Sequence, residues 1–477
     1  MIDFFGRNDL LEDLDALWKK SVSSLVTCRG RRRIGKSTLI KKFAEDSDAR
    51  FIKIEGLRPD ADFSNEDELQ SFAEQLALQS EDSGEMPTNW LAAFKRLADQ
   101  IDDRRTVVLL DEVSWMAHYD KRFAATLKIA WDNILKHAPR LILVVCGSVS
   151  TWIKENVIDN KAYFGRRSLD IVVPELPLKE CIRFWKDRAE RLSLLEMLDV
   201  LSVTGGVPRY LEEVIPSQTA AENIRRMAFC PNSILRKDFD EMFTDVITRQ
   251  PKLSADVLSV LVDQPLTSTE IIRRLAIDKC GRVAEALQQL VESGIVSRDI
   301  GRNPETGDEI RERRYRLSDN YSRFYLKYIK PALRTIDNGG FALARLTQLP
   351  GWNAILGLSF ENLIVNHYQE VLPYLHLDDA LVYSAAPYRR ASKTKGEGFQ
   401  IDLLLQTRRS LCAVEIKRQK TIGSGVIREV SRKVNMLKHS PDCSVRSALV
   451  YEGSLDDTVA ADGYFDAIVP FRKIVGL

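Results

Sequence analysis

Gly30-Arg31-Arg32-Arg33-Ile34-Gly35-Lys36-Ser37, followed by Thr38, has the spacing G-x-x-x-x-G-K-[ST], which closes a backbone loop around the phosphates of a nucleotide. Glycines permit the tight path, and successive N–H groups turn inward at the start of a helix. Gly30, Arg33, Ile34, Gly35, Lys36, Ser37 and Thr38 are the expected contacts to ATP. Lys36 supplies a point charge for the β- and γ-phosphates, and Ser37 a hydroxyl for Mg²⁺. Because the backbone does the cradling, the side chains of Arg31, Arg32 and Arg33 read as solvent-facing. Residues 24–28 before the loop read as a strand and residues 39–44 after it as a helix, which is the context the loop requires.

Two further groups complete a nucleotide site. The apolar run Val107-Val108-Leu109-Leu110 ends in Asp111-Glu112. Acids at the end of a buried strand are costly without a task. Beside a phosphate loop, Asp111 can hold Mg²⁺ and Glu112 can orient and activate the attacking water. The run 141–146 ends in Gly147-Ser148. At that end of an open parallel sheet, Ser148 reads either as a γ-phosphate sensor or as the cap of a following helix.

A second constellation lies near the C-terminus. Gln400-Ile401-Asp402-Leu403-Leu404-Leu405 and Leu411-Cys412-Ala413-Val414-Glu415-Ile416-Lys417 read as strands joined by the short turn 407–410. Residues i and i+2 of a strand share a face, so Glu415 and Lys417 emerge together and Asp402 can approach Glu415. Two carboxylates make a hard-oxygen site for Mg²⁺ or Mn²⁺. Lys417 beside them can position or deprotonate a water aimed at a phosphodiester. Glu361, amid the helical apolar stretch 356–365, could complete the set.

The elements that must position these residues fill a chain of 477 residues, too long for one core. Net charge is +1, so a nucleic-acid surface has to be a local patch. No apolar run approaches the ~20 residues that span a bilayer, and the N-terminus lacks a secretory pattern, so no membrane partner is expected. The seven cysteines are scattered without a zinc-ligand spacing, which points to a reduced, cytoplasmic protein.

Between the two constellations the pattern changes. Residues 257–262, 271–275 and 283–291 carry apolar positions at helical spacing, with Thr267-Ser268-Thr269-Glu270 as a capping-box start and Gly294 as a stop. Residues 295–298 and 313–317 then read as a hairpin. Three short helices and a hairpin make a winged helix-turn-helix, whose helix starting near Asp278 would enter a DNA groove. Arg311, Arg313, Arg314 and Arg316 form a basic strand, with Lys279 and Arg282 near the helix start. Protein docking is the other use of such a module. The stretch 388–398 is basic and reads as a loop suited to a nucleic-acid backbone.

The chain resembles archaeal-type P-loop ATPases of the AAA+/STAND-related group fused to a C-terminal DUF234-type domain. The resemblance rests on the phosphate loop, on Phe5-Gly6-Arg7-Asn8-Asp9-Leu10, on Leu109-Leu110-Asp111-Glu112, on Cys146-Gly147-Ser148 and on Gly205-Gly206-Val207-Pro208-Arg209-Tyr210. It implies that Gly6 and Arg7 lie near the adenine and that Pro208 packs against the base. It also implies that Arg166, in Gly165-Arg166, reaches a γ-phosphate in cis or from a neighbouring subunit of a homo-oligomer. The order Glu361, Asp402, Glu415-x-Lys417 resembles the PD-(D/E)xK nuclease superfamily. The expected architecture is α/β and multidomain: a parallel-sheet P-loop ATPase core (1–175), a helical lid (176–248), a winged helix-turn-helix (249–320), a helical connector (321–350) and a PD-(D/E)xK nuclease-like domain (351–477). The expected function is ATP hydrolysis coupled to binding of DNA, or of RNA, and to metal-dependent cleavage. The alternative is an ATP-dependent switch whose C-terminal modules only bind DNA or a protein partner.

Overall fold

The computed structural model describes residues 4–20, 22–80, 85–138, 140–148, 150–246, 250–277, 280–342, 344–377, 381–390 and 398–477. They divide into two units, Met1–Glu175 and Leu176–Leu477.

The first unit is built on a five-stranded parallel sheet of order β2-β3-β4-β1-β5. Its strands are β1 (Ser24–Arg29), β2 (Arg50–Glu55), β3 (Thr106–Asp111), β4 (Leu141–Gly147) and β5 (Arg167–Val172). Every residue of β3 and β4 is buried, as near-continuous apolar runs require when helices cover both faces of a sheet. Against one face pack Leu69, Phe72, Trp90, Phe94 and Phe123. The Trp90 and Phe123 rings meet edge to face at 4.7 Å. The carboxyl ends of β1, β3 and β4 carry the phosphate loop, Asp111-Glu112 and Ser148, and in an open α/β sheet this end forms the ligand crevice.

The second unit begins with helices that include Leu194–Thr204, Pro208–Leu211 and Ala220–Ala228, the last opened by a capping box of Thr219 and Glu222. Helices Pro251–Leu261, Ser268–Leu275 and Cys280–Glu292 follow. With them goes a three-stranded antiparallel sheet of order β6-β8-β7, made of β6 (Leu266–Thr267), β7 (Val296–Asp299) and β8 (Arg314–Leu317). Asp278 and Lys279 lie outside the described residues.

The basic strand expected over 311–316 is corrected by the structure. Only Arg314 and Arg316 belong to β8, the central strand of its sheet. Arg316 is 6 % exposed and binds Asp299 at 3.0 Å, Asn366 at 3.0 Å, and Asn362. Arg314 pairs with Glu270 at 3.1 Å. Alternation along β8 aims both guanidinium groups at partners on neighbouring elements rather than at solvent.

The C-terminal sheet is mixed, in the order β13-β12-β11-β10-β9. Strands β9 (Ser384–Arg390), β10 (Phe399–Gln406) and β11 (Ser410–Ile422) are antiparallel neighbours. Strands β12 (Ser444–Leu455) and β13 (Ala467–Pro470) continue from β11 in parallel. Helix Trp352–Asn366 packs on β11, and helix Gly425–Met436 on β10, β11 and β12. Of the expected basic loop, Tyr388, Arg389 and Arg390 are the end of β9 instead, and 391–397 lie outside the described residues.

Candidate functional site

The phosphate loop follows β1 directly. Gly30 has φ +152°, and a Cβ there would stand 2.7 Å from the Val173 carbonyl, so this position requires glycine. Arg33 and Gly35 are left-handed, at φ 65° and 88°, and helix Lys36–Asp46 starts immediately after. Lys36 is 6 % exposed, and its ammonium donates back to the carbonyls of Gly30 and Arg31, each at 3.2 Å. Ile34 is buried and Thr38 exposed. Arg7 braces the loop: its guanidinium donates to the Ile34 carbonyl at 3.0 Å and the Pro174 carbonyl at 2.6 Å. Gly6 and Arg7 themselves take left-handed backbone, φ 67° and 68°.

Asp111, 4 % exposed, accepts the Ser37 hydroxyl at 2.6 Å through Oδ2. Lys53 lies 3.2 Å from the same oxygen and 2.6 Å from Glu55. Burial opposes the charge on Lys53, but Glu55 and Asp111 together hold its pKa above the ordinary value. Glu112, left-handed at φ 48°, accepts two bonds on Oε2, from the Ser148 hydroxyl at 2.9 Å and the Ser148 N–H at 3.2 Å. Lys36, Ser37, Asp111, Glu112 and Ser148 thus sit in linked groups at one end of the sheet. Sequence reasoning missed Lys53. Its signal was the alternation Lys53-Ile54-Glu55 at the end of β2, whose Glu55 pairs in register with Asp111.

Arg166 is held elsewhere. Its guanidinium grips Asp132 by two bonds, at 2.7 and 3.0 Å, and Lys128 joins at 2.9 Å. These cations depress the Asp132 pKa. Pro208 opens the helix Pro208–Leu211 of the second unit.

The C-terminal constellation converges. Glu415 on β11 lies 2.7 Å from Lys417. Asp402 on β10 accepts the Ile416 N–H at 2.9 Å. Burial, then Glu415 and Glu361, push the Asp402 pKa well above the usual carboxylate range. Burial raises Glu361 as well; Arg316 and Arg323 oppose the shift, and Glu415 adds to it. Two residues were missed, Glu429 and Lys433 on helix Gly425–Met436. Lys433 reaches Glu415 at 2.7 and 2.9 Å and Glu429 at 3.0 Å. Lys417 also pairs with Glu429 at 3.2 Å. The signal was an acid and a base four positions apart on the helix after the E-x-K strand.

Asp402 and Glu415, the expected Mg²⁺ or Mn²⁺ ligands, are engaged here by protein donors, the Ile416 N–H and two ammonium groups. Both Glu415 oxygens already accept from ammonium groups. Among the described residues no group of three or more His, Cys, Asp or Glu is arranged to hold a metal ion. Nor is any described helix long and apolar enough to cross a membrane.

Comparison with known proteins bears on the first site. Over 361 residues the chain is 25 % identical to an uncharacterized protein of Methanocaldococcus jannaschii, covering 74 % of this chain and 75 % of that protein. It is 41 % identical over 46 residues to an uncharacterized ATP-binding protein of the same organism, covering 10 % of this chain and 78 % of that one. A Walker-type ATPase of Pyrococcus abyssi has a similar fold, with a TM-score of 0.52 at 16 % identity, covering 68 % of this chain and 96 % of that one. A family model described as an ATPase domain predominantly from Archaea matches residues 4–214. With the phosphate loop, Asp111 and Glu112 all inside that match, residues 4–214 of this chain are an ATPase domain of the archaeal type.

Proposed function

We infer that the chain is an ATP-driven switch that hydrolyses its nucleotide with Lys36, Ser37, Asp111 and Glu112. The pairing of Ser37 with Asp111 at 2.6 Å, beside a Glu112 fixed by Ser148, carries this reading. Loop N–H groups and Lys36 would bind the phosphates, with Lys36 leaving the Gly30 and Arg31 carbonyls. A hydroxyl and a carboxylate already in contact fit Mg²⁺, and Ser37 and Asp111 would hold it. That ion supplies charge neutralisation to the phosphates. Glu112, positioned by Ser148 through one carboxylate oxygen, would orient the attacking water and draw off its proton. Arg166, fixed on Asp132, has no part in this reading. The test is Glu112→Gln: ATP binding is retained and turnover drops roughly a hundredfold or more. Normal steady-state hydrolysis by that variant removes the assignment.

The second unit is where nucleotide state would be read out. On this reading the helices over 251–292 with β7 and β8 would serve as a winged helix-turn-helix, and the mixed C-terminal sheet as a PD-(D/E)xK-like module. Both would bind DNA or a protein partner. A second reading, polynucleotide cleavage at the C-terminal cluster, is favoured by one observation: Glu415 lies 2.7 Å from Lys417, and Asp402 of the adjacent strand accepts the N–H of Ile416 between them. Divalent-dependent nicking of DNA or RNA, lost in Asp402→Asn, is its test.

A further inference from the structure

Glu415 is 2 % exposed, and such a carboxylate needs a cation or a proton. It has two cations. Lys433 donates to both of its oxygens, at 2.9 and 2.7 Å, and Lys417 lies 2.7 Å from Oε1. The Lys433 side chain is 10 % exposed, so it is built into the cluster rather than laid over it. A divalent ion on a carboxylate stands ~2.0–2.6 Å from its oxygen. An ammonium on the same two oxygens fills that space with like charge, which in a buried site is strongly unfavourable.

We propose that Lys433 is the resident cation of the C-terminal cluster, and that a divalent ion binds Glu415 only when Lys433 is withdrawn. The inference rests on the cleavage reading above for its purpose, and on geometry for its substance. Asp402 has a donor of its own, since its Oδ2 is held by the Ile416 N–H. Glu429 gives the withdrawn ammonium somewhere to go. It lies one turn before Lys433 on the same helix, 3.0 Å away, and is 42 % exposed. Lys433 can swing outward along its stem onto Glu429 alone, leaving Glu415 with Lys417. The lysine therefore sets which cation the cluster holds, an ammonium of its own or an ion from solution.

The test titrates Mn²⁺ into the nucleotide-free full-length chain and follows bound metal by electron paramagnetic resonance. The nucleotide site is common to all variants and cancels in the differences. Lys433→Met should bind one Mn²⁺ that the wild type does not, or bind it about tenfold more tightly. Adding Glu415→Gln should remove that ion, and Lys433→Arg, which keeps the charge, should bind as the wild type does. Glu429→Gln alters a half-exposed side chain and keeps the fold; by removing the acceptor for the withdrawn ammonium it leaves Lys433 on Glu415, so it should bind Mn²⁺ no more tightly than the wild type does. Equal Mn²⁺ binding by wild type and Lys433→Met overturns the proposal, and so does a new ion that survives Glu415→Gln. If Lys433→Met does not fold, Lys433→Gln, which also removes the charge and keeps a polar end, takes its place, and equal Mn²⁺ binding by wild type and that variant overturns the proposal. A Lys433→Met protein that gains the ion but cuts no DNA or RNA supports the resident cation and removes the cleavage reading. A wild type that cuts with Mn²⁺ as readily as Lys433→Met overturns the resident cation and leaves cleavage standing.

Discussion

Ser148 holds Glu112 by both its hydroxyl and its backbone N–H, at 2.9 and 3.2 Å from one carboxylate oxygen. The two residues end adjacent strands of the sheet, so the strand pairing itself brings them together. A serine that merely caps a helix would not reach across to the next strand.

Ser148→Ala keeps the backbone bond and loses the hydroxyl one. Turnover of ATP should fall about tenfold with little change in the KM for ATP, because positioning rather than binding is lost. Steady-state kinetics over ATP concentration separate the two. An unchanged kcat would return Ser148 to a capping role.

Gly30→Ala puts a methyl group 2.7 Å from the Val173 carbonyl on a backbone with φ +152°. The loop has to shift. Stability should fall by about 1–3 kcal/mol, and ATP affinity should fall at least tenfold. Urea denaturation and nucleotide titration measure the two effects. Gly165→Ala is the control, since nothing lies within 4 Å of its added Cβ, although it shares the positive-φ cost.

Glu68 is 2 % exposed, and burial pushes its pKa up to about 7, against a bond from the Leu57 N–H. The folded protein therefore binds this proton more tightly than the unfolded chain does. Its contribution is fully present below pH ~4.5 and is lost as pH rises through about 7. Glu68→Gln keeps an acceptor for Leu57 and removes the titration. The variant should gain on the wild type between pH 5 and 8, by roughly 3 kcal/mol at most. Thermal melting across that range reads it, and parallel pH profiles for the two proteins would contradict the shift.

Arg316 ties β7 and β8 to helix Trp352–Asn366 through Asp299, Asn362 and Asn366. Arg316→Met strands Asp299 in a buried position, 9 % exposed at the side chain. The expected loss is about 3–5 kcal/mol. The double variant Arg316→Met/Asp299→Leu should recover most of it, because both charges are then gone. If DNA affinity of the folded protein falls while stability does not, Arg316 faces nucleic acid after all and its buried role is wrong.

The candidate nucleotide site was legible because its chemistry is nearly contiguous. Gly30 to Ser37 encode loop, charge and hydroxyl in one stretch, and Asp111-Glu112 announce themselves as acids closing an apolar run. The pairing of Glu415 with Lys417 was legible for a similar reason, since strand alternation fixes which side chains share a face. Local rules also gave the turn between β10 and β11.

What only the tertiary structure decided are the partners that meet across elements. Arg316 reads as a basic surface residue in sequence and is buried because β8 lies between β6 and β7, with helix Trp352–Asn366 providing Asn362 and Asn366. Arg166 reads as a phosphate-seeking arginine and is taken by Asp132, 34 positions earlier. Lys53 reaches Asp111, and Lys433 reaches Glu415, by strand neighbours and helix packing that no local pattern specifies. Sequence thus determined which groups could do chemistry and where the chain turns. The charge state and free valence of those groups were set by packing, because a buried ionised side chain takes whichever opposite charge the fold places within reach.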